Sequence, residues 1–150
     1  MRIVSAVFAH HVNVIVIMKF KIDTKEKFTV VTPIEPYFSD IVAVELGTEC
    51  TKILDAHTTN TILNLREITL IDETACDAIT LWQQRFYEAN ASFVICEMKP
   101  EIEAIFDKLE LTDVLNITPT ESEAWDIVQM EEIERELLDG DDFEFETINK

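Results

Sequence analysis

Apolar and polar residues alternate along this chain in two rhythms, one of period two and one of three to four residues. Lys19, Phe20, Lys21 and Ile22 take turns in the first way, and a second short apolar run occupies 28–31 after the charged turn of Lys25, Glu26 and Lys27. The pair predicts a β-hairpin. Pro33 and Pro36 end it. Ser39 then reads as a helix N-cap with Asp40 in the first turn, because a hydroxyl can accept a free N–H there and an acid suits the positive helix end. Ala43, Leu46, Cys50 and Ile53 fall on one face of that helix. Gly47 inside it costs about 1 kcal/mol relative to alanine.

The same alternation of elements continues. Residues 61–65 read as a buried strand, and 68–71 as a short apolar piece leading into Asp72. Ala75, Ile79, Trp82, Phe86 and Ala89 then form the clearest helical stripe in the chain. Residues 92–96 are a second buried strand. Pro100 suits the first turn of a helix whose face is Ile102, Ile105, Phe106 and Leu109. A last strand is expected at 114–117. Thr120 and Glu123 form a capping box, opening a helix that is expected to run to about Leu138 with Ile127, Met130, Ile133 and Leu137 inward. The order is ββαβαβαβα: an α/β sandwich whose four helices pack on a mixed, mostly parallel sheet, one face covered more than the other.

The two ends stand apart from this pattern. Residues 1–17 hold an apolar run too short to span a bilayer and no cleavage site of the secretory kind. They read as an extra strand or, preferably, as a leader upstream of a start at Met18. Residues 18–138 form the domain, and the acidic ending 139–150 reads as a flexible tail.

Charge narrows the partners. Twelve Lys and Arg stand against 30 Asp and Glu, a net charge of −18, and residues 120–150 alone carry −10. Nucleic acid and membrane insertion are not expected, because the first wants clustered bases and the second a longer apolar run. Two glycines, Gly47 and Gly140, cannot build a glycine-rich phosphate loop. Cys50, Cys76 and Cys96 are widely spaced among apolar neighbours and read as reduced core thiols of a cytoplasmic protein. No close cysteine pair suggests a zinc site, so no metal and no cofactor are expected.

The segments KFKIDTKEKFTVVTP, NLREITLIDETACDAITLW and SFVICEMKPEIEAIFDKLELTDVLNITPTESEAW together resemble a STAS domain, the fold of anti-sigma-factor antagonists. The resemblance covers about residues 18–125 and includes the element order. It implies a non-catalytic module that binds an anti-sigma factor or a serine kinase, and that is switched off when a serine after the loop aspartate is phosphorylated. A phosphate at that helix start would add about −1.5 to −2 charges to the contact surface. By this likeness the partner-binding surface comprises Asp72, Glu73, Thr74, Ala75 and Asp77, with Tyr37 and Ser39 alongside.

The chain departs from the family at the switch. Glu73 stands where the phosphoserine is expected and cannot be esterified by a serine kinase. Three readings stay open: Thr74 has become the phosphoacceptor, binding is constitutive, or the domain is a scaffold subunit of another complex, such as a lipid-transport or stress-signalling assembly. Asp72 could instead serve only as a helix cap. A phosphorelay receiver would use Asp72 as acceptor, but it needs an acidic pair after the first strand and a lysine after the last. Asp23 leads into a hairpin, and Thr118 and Pro119 follow the last strand. His10, His11 and His57 have no evident nucleophile or carboxylate companion, so no catalytic set is assigned.

Overall fold

The lysine–apolar alternation of the early chain does form a hairpin, closed by the Lys25 N–H donating to the Phe28 carbonyl at 2.8 Å. The structure is a computed structural model; it describes the backbone of residues 3–5, 14–17, 19–56 and 60–148, and side chains within 19–56 and 60–138. His10, His11 and His57 lie outside the described residues. Among those described, the elements run β1 (Ile3–Ser5), β2 (Val14–Ile17), β3 (Phe20–Thr24), β4 (Thr29–Pro33), β5 (Tyr37–Phe38), α1 (Asp40–Leu54), β6 (Thr61–Asn64), β7 (Leu70–Ile71), α2 (Glu73–Glu88), β8 (Phe93–Cys96), α3 (Pro100–Lys108), β9 (Ile117–Thr118) and α4 (Glu121–Ile148).

Seven strands make one sheet in the order β1-β2-β3-β4-β6-β8-β9. The first four pair antiparallel and the rest parallel. From β4 onward each crossover steps to the next strand in the same direction. Crossovers of one hand then lay their helices on one face. Side chains obey the pleat accordingly. Val31, Leu63, Phe93 and Ile95 meet α1, α2 and α3 in a large core that also holds Leu46, Ile79, Phe86, Ile102 and Phe106. Their neighbours Val30, Ile62, Val94 and Cys96 point the other way, into a smaller core closed by Phe28 and by Ala124 and Val128 of α4. The expected mixed sheet with four helices, covered unequally, is therefore present.

The first segment, read as an extra strand or as a leader, carries two strands at its described positions; Ile15 pairs with Ile22 and Ile17 with Phe20. Three details differ from the sequence reading. The last strand is Ile117–Thr118, two residues long, because Val114 and Leu115 turn back through N–H bonds to the Leu111 carbonyl. The backbone of α4 continues past Leu138 to Ile148. Gly140 is a cost of only about 1 kcal/mol, and no proline follows to stop a helix.

The largest correction concerns which side of α4 faces the sheet. Met130, Ile133 and Leu137 were expected inward and are exposed, while Ala124 and Val128 are fully buried and Ile127 is partly so. Polar groups set this rotation. Ser92 donates its hydroxyl to Glu131 at 2.5 Å, and Arg135 donates to the Asn60 side-chain oxygen at 3.2 Å and to the Ser92 hydroxyl at 3.4 Å. Asn60 also receives the Ser92 N–H at 2.9 Å and donates to the Lys27 carbonyl and to Glu132. A buried amide left without such partners would cost about 1–3 kcal/mol, so the helix turns its polar side to this rim.

Candidate functional site

Two helices begin side by side because two very short strands hold them there. β5 and β7 pair in parallel, Tyr37 with Leu70 and Phe38 with Ile71, as a sheet of their own. The Asp72 N–H extends the pairing by donating to the Phe38 carbonyl at 3.0 Å. The chain leaves β5 through Ser39 into α1 and leaves β7 through Asp72 into α2. Both helices thus present their positive N-termini at the same edge. Ser39 caps α1 as expected, its hydroxyl accepting the Val42 N–H at 3.3 Å.

Asp72 does not cap α2 in the same way. Its backbone is extended like that of an N-cap residue, but its side chain makes no cap bond. Instead the Tyr37 hydroxyl donates to both of its carboxylate oxygens, at 2.8 and 2.9 Å. The bond fastens β5 to the start of α2 and raises the Tyr37 phenol above its usual pKa, chiefly through that hydrogen bond to Asp72.

Glu73 and Thr74 follow in the first turn and are exposed, as is Asp77. Asp40 stands at the start of α1, so acids crowd both helix ends. Each is favoured there by about 0.3–1 kcal/mol. Ile41, Val44 and Leu70 add exposed apolar surface beside them. A shallow cleft of about 300 Å³ runs between the helices, lined by Asp40, Ala43, Val44, Gly47, Thr74, Ala78 and Trp82. Gly47 explains its own presence here. A Cβ at that position would stand 3.3 Å from the Trp82 ring, so glycine admits the indole between the helices. Trp82 is mostly buried, with the Arg85 guanidinium over its ring at 5.1 Å.

The seven residues assigned to the partner surface thus divide. Tyr37, Glu73, Thr74 and Asp77 are exposed, Ser39 and Asp72 are half-buried, and Ala75 is fully buried. Ala75 is corrected from contact residue to packing residue, since it continues the stripe of Ile79 and Trp82. Sequence reasoning missed Ile41, Val44 and the Gly47–Trp82 cleft. The available signal was an apolar pair three apart, off the buried stripe of α1.

Little at this edge invites covalent chemistry. Burial, with Asp77, Glu73 and Asp72 nearby, pushes the Cys76 thiol up to about 12, which keeps it protonated. Cys96 is likewise raised to about 12, and Cys50 is raised by burial and Glu49. Among the described residues, no group of three or more His, Cys, Asp or Glu side chains is placed to hold a metal ion. No helix among them is long and apolar enough to cross a membrane.

Comparison with known proteins adds the following. The family model for the STAS domain matches residues 19–124. A Thermotoga maritima protein assigned as an anti-sigma factor antagonist superposes with a TM-score of 0.67 at 16% identity, covering 73% of this chain and 94% of its own. A serine-to-glutamate variant of RsbS from Moorella thermoacetica gives 0.64 at 13% identity, covering 75% and 96%. SpoIIAA, an anti-sigma factor antagonist of Bacillus with both unphosphorylated and phosphorylated structures, gives 0.61 at 15% identity in its unphosphorylated form, covering 73% and 96%. At such identities the likeness is one of fold. A search of curated sequences found no significant match.

Proposed function

This chain belongs to the STAS-domain family, and from that premise we propose that it is a non-catalytic regulatory module which binds a protein partner, an anti-sigma factor or related serine kinase, through the start of α2. The observation that carries the reading is the exposed Glu73 in the first turn of α2, beside exposed Tyr37, Ile41 and Val44 and the cleft that Trp82 floors. Apolar surface ringed by charge is what a specific contact needs: the apolar part supplies affinity and the acids select a basic counterpart.

Glu73 makes the binding constitutive. Its side chain carries one charge where a phosphoserine carries about −1.5 to −2, and it has two acceptor oxygens rather than three. The helix dipole offsets part of that single charge. A partner that would be repelled by phosphate is therefore tolerated, and no kinase reaction at this position can release it. That a serine-to-glutamate variant of RsbS keeps this fold agrees with a carboxylate being accommodated in a STAS domain.

Affinity purification from lysate of the source organism tests the reading, with wild type, Glu73→Lys and Glu73→Ser compared. Wild type should retain a kinase-like protein that Glu73→Lys loses. With the purified partner and ATP, Glu73→Ser should gain phosphate while wild type gains none. Phosphate appearing on Thr74 of the wild type would instead make that exposed hydroxyl the switch and end the constitutive account.

A further inference from the structure

The outward side of α4 is a feature that neither the fold nor the α2 surface uses. At roughly 100° per residue, Met130, Ile133 and Leu137 form one stripe, nearly opposite the buried Ala124 and Val128. They are 55%, 56% and 53% exposed, on a helix otherwise well seated against the sheet. Steps of three and four between them match the seam of a helix–helix contact. The stripe is not a by-product of folding, since the smaller core is closed without it.

Charge says what can cover it. Glu123, Asp126, Glu134 and Glu136 are exposed on or beside the same side of the helix. Among the described residues, no lysine or arginine forms an ion pair with any of the four. Arg135, the single base between residues 121 and 138, is turned inward to Asn60 and Ser92. A second copy of this chain would bring −10 against −10 over residues 120–150, and an anionic bilayer would be repelled in the same way. A helix with an apolar seam and lysine or arginine flanks meets both the stripe and the uncompensated acids.

We propose that the Met130–Ile133–Leu137 stripe is a second docking surface, and that it takes a basic amphipathic helix of another protein. α4 covers the opposite face of the sheet from α2. The two surfaces can therefore be occupied together, and the proposal does not depend on what binds at Glu73.

The test uses the full chain and a synthetic peptide of about 18 residues, with leucine at the seam positions and lysine at the flanks. Binding is followed by fluorescence anisotropy at physiological salt. A scrambled peptide of equal composition and a version with glutamate for lysine are the controls. The designed peptide should bind, and the controls should not. Ile133→Ser and Leu137→Ser, which remove apolar surface without changing charge, should each weaken binding about tenfold. Asp126→Asn with Glu134→Gln should weaken it and flatten its salt dependence. Glu73→Lys should leave it unchanged. Equal binding of the scrambled peptide, or indifference to both serine variants, would overturn the proposal. So would binding to phosphatidylglycerol vesicles in place of the peptide, or a dimer in sedimentation that Ile133→Ser converts to monomer.

Discussion

α2 and α4 carry apolar stripes of similar regularity, yet one is buried and the other faces outward. Ala75, Ile79, Trp82 and Phe86 are all buried in α2, whereas Met130, Ile133 and Leu137 of α4 are exposed. The difference lies in what each helix meets. α2 packs on a face rich in large apolar groups, where Phe86 lies 5.1 Å from Phe93 and 6.3 Å from Trp82, ring centre to ring centre. α4 meets a smaller apolar patch that buries Ala124 and Val128 and part of Ile127, bordered by Asn60, Ser92 and Asn116. A periodic stripe establishes that a helix has two sides. The surface awaiting it decides which side goes in.

The strongest way to break this contrast is in α2. Phe86→Ala should remove about 3–5 kcal/mol of stability, the cost of a large cavity in a filled core, read from the midpoint of urea unfolding. A loss under about 1 kcal/mol would mean that the larger core is not the main support of the fold. Asn60→Ala sharpens the contrast from the α4 side. It deprives the Ser92 N–H and Arg135 of their acceptor, and about 1–3 kcal/mol should be lost. Amide exchange in α4 should speed up more than exchange in α2, because only α4 takes its rotation from this rim.

The same contrast explains what the sequence made legible. The β3–β4 hairpin, the central strands β6 and β8, the Ser39 cap and the inward side of α2 follow from short-range rules, and each rule had one local answer. Residues 37–38 and 70–71 gave no such signal, since strands of two residues exist only through partners distant in sequence. The tie between Tyr37 and Asp72 is therefore invisible until the chain is folded, although both residues had been singled out by family likeness. Ala75 shows two sequence arguments in conflict. Its motif position placed it at the partner surface and its helical phase placed it inside; phase prevailed. In α4 the phase argument itself failed, because Glu131 and Arg135 anchor the helix to Ser92 and Asn60 and so set its rotation.

The smallest expected effect is the most discriminating. Isoleucine and serine have similar helix propensity, so Ile133→Ser changes little in the helix itself. If the side chain lies outward and uncovered in the isolated protein, stability should shift by no more than about 0.5 kcal/mol in urea unfolding. If period alone had governed and Ile133 were packed on the sheet, removing its apolar surface would cost several times more. A near-zero result has consequences for the docking proposal as well. It leaves affinity for a basic helix as the property that Ile133 serves, and any weakening of that affinity could not then be blamed on a damaged fold.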